Sequence, residues 1–566
     1  MEAQRVFLAG FLMVLVWVFW QAFFFSYSEE GVQGVSADTK DDFVQNQALL
    51  EGLFLEPSQS LENEVVLTIN NGKFSAEISN ARLGSFLQYR LSEPEKRYLG
   101  AYTLKNSEEG FYNPSAPVSF LFSKNEGFNV CSPCIEGFYP KNVTVRVNGV
   151  LQTESKDIFV DKKTEIDFVD PSTLAKHKIT IFPNDFSVAH TYSFDDSSYK
   201  KVLWKNGTRP SEKYYWLDDQ MSYAMFVGAN ESDYDWLTGN LETASIDYGA
   251  DIAWVGTRNK FFMSILKPVS SVSKVSIVPK RDSFFAKKYT RFVEDSPPPA
   301  SLYDIELYFE DQKDISFESF LAPLEYSIVS SSGINNLDWI MTLGASIFKP
   351  ISVFILKLIT WIKSSLPFGG GYASSLILFA IIVRIITGPL SKRSLESTKK
   401  MSEVQPLIKT IQEKHKNDPK KLQMEIMSVY KENKVNPLSG CLLMFLQWPI
   451  MIPPFIVFRS AVELRGESFL WLKDLSHPDY ILTLPFNIPF LGFGAETGIG
   501  LLPILMGFTL FLTMKQTSSS LEGQNKVMLY SMNGMFVFLF NSFPAGLNLY
   551  YVVYNVLNYL QQKSKK

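Results

Sequence analysis

Apolar residues in this chain come in blocks, and several blocks are long enough to cross a lipid bilayer. The first covers residues 6–25, VFLAGFLMVLVWVFWQAFFF, a run of 20 residues. Such a run makes about 30 Å of helix, the thickness of the hydrocarbon layer. A secretory leader would have a shorter apolar region followed by small residues at a cleavage site. Here Trp17, Trp20 and Phe23 to Phe25 occupy that place, so residues 1–26 read as an uncleaved anchor. Five more candidates follow at about 373–390, 438–460, 499–516, 527–543 and 547–561. Only Pro544, Ala545 and Gly546 separate the last two, which predicts a tight helical hairpin.

The stretch between the first block and the others has a different texture. Residues 27–64 are polar and acidic, with Glu29, Glu30, Asp38, Asp41 and Asp42, and read as a flexible linker. From 65 to 325 short runs such as VVLTI, FSAEI, TEIDFV, KITIF and LYDIELYFE alternate apolar with polar. Turn residues separate them, which predicts a large antiparallel all-β sandwich. The fold class is therefore a multi-domain membrane protein, with an all-α polytopic core plus a large all-β domain. Residues 337–364 carry Ile347, Ile351, Phe354, Ile355, Leu358 and Ile362 between Lys349, Lys357 and Lys363. That periodicity predicts an amphipathic helix in the membrane interface.

Lysine and arginine in short loops set membrane orientation. Residues 391–437 carry Lys392, Arg393, Lys399, Lys400, Lys409, Lys414, Lys416, Lys420, Lys421, Lys431 and Lys434, and the tail 562–566 ends in Lys563, Lys565 and Lys566. The loop 461–498 has only Arg465 and Lys473. Both basic segments therefore face the cytoplasm, as does the N-terminus, and the β-domain lies outside. Within 391–437, Asp418 reads as an N-cap and Pro419 as the first residue of a helix. Helices over 394–416 and 420–434 would then form a basic hairpin. The net charge of −4 gives no general affinity for polyanions, so DNA is not expected as a partner.

Inside the second apolar block stands Arg384, six residues before its cytoplasmic end. Its long side chain could snorkel to the headgroups. Alternatively it faces a hydrated cavity, because a charge at the centre of a span costs about 2.5–3.5 kcal/mol and usually points into the bundle. Other spans favour the cavity. Asn548, Tyr551, Asn555 and Asn558 recur at helical spacing, Ser531, Asn533 and Asn541 precede them, and Gln447 interrupts another apolar run. Interhelical hydrogen bonding explains each of these singly.

The runs IIVRIITGPLSKRSLESTKKMSEVQPLI, EIMSVYKENKVNPLSGCLLMFLQWPI, LLPILMGFTLFLTMKQ and FPAGLNLYYVVYNVLNYLQQ resemble, in order, the YidC family of membrane protein insertases. The likeness extends over about residues 337–562, and more weakly over the β-domain of Gram-negative members. It implies six spans in the inner membrane, with the last five, over 373–561, forming the core. The periplasmic side carries the β-domain. In the family an amphiphilic groove holds one arginine, which Arg384 matches; Gln447, Asn533, Asn548, Tyr550, Tyr551 and Asn555 would line it. Where the family has a groove threonine one turn before the arginine, this chain has Ala380. The resemblance implies nascent membrane proteins as substrates, with the Sec translocon, membrane lipids and, through the hairpin, the ribosome as partners. A rival reading is a solute transporter that binds a small anion at Arg384.

No phosphate-binding loop and no paired-carboxylate constellation stand out, so neither an enzyme nor a cofactor is expected. Cys131 and Cys134 in CSPC lie outside the cytoplasm in this reading. There the spacing suits a local disulfide ahead of a redox motif or a metal site.

Overall fold

The computed structural model describes residues 64–563, apart from internal stretches at 93–95, 107–108, 122–130, 139, 141, 199, 214–217, 219–220, 231–233, 239–245, 250–251, 281–301, 367–370, 416–417, 434–450, 485–496 and 518–523. The expected anchor 1–26 and most of the linker 27–64 lie outside the described residues, as does Gln447. The chain forms two compact units that divide in sequence between Met341 and Thr342.

The first unit is β-rich. Its largest sheet has ten strands in the order Tyr234–Thr238, Tyr223–Gly228, Ile252–Arg258, Phe262–Pro268, Asp314–Pro323, Ser187–Ser193, Lys176–Ile181, Thr164–Val169, Thr144–Val147 and Val150–Gln152. Alternation in sequence becomes alternation in burial: in Thr164–Val169 every second residue is buried, because successive side chains point to opposite faces. A five-stranded sheet contains Leu302–Phe309, and a four-stranded sheet contains Val66–Asn70. The four-stranded sheet departs from the all-antiparallel expectation. Val66–Asn70 pairs in parallel with Lys156–Phe159, Leu67 opposite Lys156. A parallel partner must come from a distant part of the chain, so local periodicity does not reveal it.

Two buried polar networks hold this unit. In the first, His177 Nδ1 lies 2.7 Å from the Leu83 carbonyl, His177 Nε2 lies 3.1 Å from His190 Nδ1, and His190 Nε2 lies 2.9 Å from Ser319 Oγ. A carbonyl can only accept, which orders the neutral chain: Ser319 donates to His190, His190 to His177, and His177 to Leu83. In the second, Arg258 donates to the carbonyls of Ile340, Asn259 and Lys260 at 2.7, 2.8 and 2.9 Å. Tyr223 Oη donates to the same Ile340 carbonyl at 2.7 Å, and Trp254 Nε1 donates to Asn335 O at 2.9 Å. The segment that follows the last strand is thereby fastened to the ten-stranded sheet. Cys131 and Cys134 are joined in a disulfide, their Cα atoms 5.2 Å apart.

The second unit is helical. Its helices are α1 (Lys349–Ser365), α2 (Tyr372–Lys414), α3 (Pro419–Glu432), α4 (Met451–Ser460), α5 (Leu501–Thr517), α6 (Gln524–Phe540) and α7 (Ala545–Lys563). The amphipathic helix expected over 337–364 begins only at Lys349. Leu337–Met341 is a 3₁₀ turn of the first unit, Gly344 has a left-handed φ of 89°, and Pro350 suits the first turn of a helix. Its exposed apolar face carries Phe354 and Trp361, seven residues apart.

The span and the first hairpin helix, expected as two elements, are one helix of 43 residues through Pro389 and Pro406. Pro389 removes the hydrogen bond to the carbonyl of Ile385, a residue 70% exposed, at the end of the apolar segment, where a solvent group can replace it. Among the described residues one helical segment, Tyr372–Pro389, is long and apolar enough to cross a membrane, and Met451–Ser460 and Leu501–Lys515 are shorter apolar helices. The expected span 438–460 is described only from Met451 onward. The hairpin closes as the sequence predicts: Asp418 Oδ1 accepts from Lys421 N at 3.1 Å, with Pro419 opening α3.

Candidate functional site

Leu376, Ala380, Arg384 and Gly388 recur every four residues along α2, and all four are buried. The same spacing puts them on one face of the helix. Ile385 and Ile386, just past the arginine, are 70% and 72% exposed, whereas Arg384 is 6% exposed. The arginine therefore belongs to the packed face and the isoleucines to the outer one.

That packed face meets α7. Phe379 and Tyr550 have ring centroids 5.5 Å apart, and the Arg384 guanidinium carbon lies 5.7 Å from the centre of the Tyr554 ring. A Cβ built on Gly388 would stand 2.8 Å from Gln561 Nε2, and one on Gly546 would stand 3.3 Å from Leu376 Cδ1. The contacts advance in the same chain direction along both helices, so α2 and α7 are parallel. Gly388 thus leaves room for the Gln561 side chain, and Gly546 also for Leu464 Cδ1 and the Leu475 carbonyl, each 3.1 Å from such a Cβ. Helical side chains lean toward the N-terminus of their helix, so Arg384 leans over the turn of Ala380.

The polar residues picked out by sequence divide between two faces of α7. Tyr550, Tyr554 and Gln561 face α2. Asn548, Tyr551 and Asn555 lie on a neighbouring face, and two of them hold other helices. Asn548 Nδ2 donates to the carbonyls of Phe540 and Phe543 at 3.0 and 3.4 Å, so it satisfies the C-terminal end of α6. Tyr551 Oη donates to Met451 O in α4 at 2.8 Å. Asn533, on α6, donates to Gly507 O in α5 at 3.1 Å. Asn555 is buried on α7. Tyr550 is fully buried among the rings of Phe379, Phe458, Tyr551 and Tyr554. The aromatic partner of the arginine, Tyr554, was missed by the sequence reading. Its signal was the spacing of Tyr550, Tyr554 and Gln561, four and seven residues apart.

The loop after α4 closes the opposite end of these helices. Asp479 Oδ2 accepts from Leu502 N at 2.7 Å, an N-cap for α5 supplied from a distance in sequence. His477 O and Leu475 O accept from Ala545 N and Gly546 N at 2.7 and 2.8 Å, where α7 begins. Asn541 accepts from Gly500 N at 2.9 Å and donates to Gly498 O at 2.7 Å. Each of these bonds occupies a helix-end or hairpin group that would otherwise lack a partner. Among the described residues no group of three or more His, Cys, Asp or Glu side chains is placed to hold a metal.

Comparison with known proteins gives one family. The family described as 60Kd inner membrane protein matches residues 364–565. A membrane protein insertase YidC of Chlorobium limicola is 33% identical over 94% of this chain and 86% of its own length. One from Chlorobaculum parvum is 29% identical over 94% of this chain and 88% of its own length. A solved structure of an active YidC insertase, with its first transmembrane domain resolved, is 16% identical, covers 93% of this chain and 99% of that one, and has a TM-score of 0.33.

Proposed function

The chain belongs to the YidC family of membrane protein insertases, an inner-membrane family, and on that premise we propose that Arg384 is the group that draws substrate into its helical core. In this reading six spans cross the membrane, both termini and the basic hairpin lie in the cytoplasm, and the β-domain lies in the periplasm. A nascent membrane protein approaches from the cytoplasm. The acids of its hydrophilic flank pair transiently with Arg384. Polar backbone then crosses a hydrated, shortened path rather than the whole hydrocarbon layer. Partition of the apolar segment into lipid completes the step, at about 0.8 kcal/mol per buried CH₂. The Sec translocon and the ribosome are the partners expected around this step, the ribosome through the hairpin. Gln447, Asn533, Asn548, Tyr550, Tyr551 and Asn555 belong to the proposed groove. Asn533, Asn548 and Tyr551 contribute by holding its walls at fixed spacing.

The observation that carries this reading is the inward placement of Arg384 over the Tyr554 ring, with Ile385 and Ile386 turned outward. A ring face attracts a cation without fixing the direction of its N–H groups. The ring thereby helps to hold the guanidinium, and in this reading its positive charge attracts a carboxylate. Purified protein in liposomes tests it, with one substrate whose translocated tail keeps its acids or has them replaced. Arg384→Ala and Arg384→Glu are expected to lower insertion of the acidic tail about tenfold or more, the equivalent of about 1.4 kcal/mol. Arg384→Lys keeps the charge and should retain most activity, although it loses the planar fork. Neutral tails should be affected less. Equal behaviour of the Ala and Lys variants on acidic tails would sink electrostatic capture.

A further inference from the structure

We propose that the loop between α4 and α5 dips an apolar rim, made of Leu470, Trp471, Ile481 and Leu482, into the bilayer surface where α5 begins. The proposal rests on the reading above in which α5 crosses the membrane.

The four residues stand at two places in the loop. Leu470 and Trp471 form the corner of a tight turn, in which Phe469 N donates to Leu472 O at 2.9 Å and Leu472 N to Phe469 O at 2.8 Å. Leu470 has a φ of 53°, a left-handed conformation that such corners ordinarily give to Gly, Asn or Asp. A bulky side chain there is strained. Packing does not account for it, because Leu470 is 76% exposed and Trp471 45% exposed. The loop has its own core in Leu472 and Leu475, which are buried. Ile481 and Leu482, both more than half exposed, lie on the strand Tyr480–Leu484, which pairs antiparallel with Thr497–Gly500. Successive strand residues point to opposite faces, so this ribbon exposes an apolar side chain on each face. An antiparallel ribbon in water would keep one face polar.

What covers the rim follows from its place. One carboxylate ties it to the first turn of α5: Asp479 Oδ2 accepts from Leu502 N at 2.7 Å, and Asp479 Oδ1 accepts from Trp471 Nε1 at 3.3 Å. Leu482 stands opposite Ile499, just before α5 begins at Leu501. The rim therefore sits beside the end of an apolar helix. The apolar part of α5, Leu501–Lys515, is about 22 Å long at about 1.5 Å per residue, against about 30 Å of hydrocarbon. Side chains at its end thus lie at the lipid boundary, where tryptophan is favoured. Charge agrees with a lipid surface. The acids beside the turn are engaged within the protein, Glu467 with Lys363 at 4.0 Å and Asp474 with His477 at 3.5 Å. Lys473, two residues from Trp471, is exposed and complements headgroup phosphates.

The test uses the purified full chain in vesicles of neutral and anionic phospholipid whose acyl chains carry bromine. A fluorescent amino acid is placed at position 470, 482, 508 or 432. Phe508 is exposed on α5 and Glu432 is exposed on α3. Bromine near the headgroups should quench emission from 470 and 482 about twofold or more, as contact with lipid requires. Iodide in the water should quench 432 about threefold more strongly than either. Leu470→Ser with Ile481→Ser should cut bromine quenching at 482 about threefold, whereas Leu470→Met with Ile481→Val should keep it within about twofold, since the rim stays apolar. Equal bromine quenching in the serine and apolar variants overturns the proposal. So does iodide quenching at 470 and 482 as strong as at 432, which would leave the rim open to water or to a protein partner. Bromine deeper in the acyl chains checks the premise at 508. Quenching at 508 without quenching at 470 and 482 overturns the rim alone. No quenching at 508 overturns the spanning reading as well.

Discussion

Each unit of this protein buries an arginine, and the two are held in different ways. Arg258 in the β-rich unit is 2% exposed and gives its N–H groups to three backbone carbonyls. Arg384 in the helical unit is 6% exposed and lies over an aromatic ring. Carbonyls fix the direction of every donor, so Arg258 is a strut between the sheet and the segment leading to Ile340. A ring face fixes position but not hydrogen-bond direction. Burial of a charge therefore does not by itself mark a working site. What distinguishes the two arginines is that backbone carbonyls take the N–H groups of Arg258, whereas Arg384 lies against an aromatic face.

That contrast yields an ordered set of expected outcomes. The largest concerns Arg258. Arg258→Ala removes the donor to the carbonyls of Asn259 and Lys260, at about 1–3 kcal/mol each when buried, while the Ile340 carbonyl keeps Tyr223 Oη. A loss of about 3 kcal/mol or more should appear as a lower denaturant midpoint for the β-rich unit. Arg258→Lys should not restore it, because an ammonium group cannot reproduce the fork. Rescue by lysine at 258 as complete as that expected at 384 would erase the distinction.

The next outcome is a pH dependence confined to the β-rich unit. Burial lowers His177 to about 3, against a smaller opposing effect of its bond to Leu83. His190 is also held well below the ordinary value, by burial first and then by His177. Both histidines are neutral when folded and take up protons when unfolded. Their contribution is complete above about pH 6.5, the ordinary value. It is lost as pH falls from there toward 3, with a slope of up to about 1.4 kcal/mol per pH unit for each histidine. Denaturant melts between pH 7.5 and 5 should show this slope. His177→Gln with His190→Asn should flatten it, whatever the variant's stability at neutral pH. An unchanged slope would mean that the relay is not what titrates.

The smallest outcome tests a cap in the helical unit. Asp479→Ala removes the acceptor for Leu502 N, at about 1 kcal/mol. Asp479→Asn should recover most of that loss, since an amide oxygen also accepts. Hydrogen exchange at the start of α5 would report it. No change there would mean the bond contributes nothing to holding α5.

How much of this was legible beforehand depended on the distance between cause and effect along the chain. The alternation in TEIDFV, the Asp418–Pro419 start of α3 and the apolar run at Tyr372–Pro389 are each settled by residues a few positions apart. Arg384 is buried on the packed face of α2; the hydrated cavity expected around it is part of the proposal, and the ring beside it was not anticipated. The polar stripe of α7 was visible as a stripe, but Asn548 turned out to finish α6 and Tyr551 to hold α4. Tyr554, on the adjoining face, is the residue that meets the guanidinium.

By itself the sequence determined the two textures, the β-rich stretch and the apolar helical blocks, because periodicity of burial is written in neighbouring side chains. Only the tertiary structure decided the parallel partner of Val66–Asn70, the passage of α2 through Pro389 and Pro406 and the distant cap that Asp479 places on α5. It also decided which tyrosine receives Arg384. Those outcomes depend on which surfaces meet across long stretches of chain, and no run of neighbouring residues specifies that.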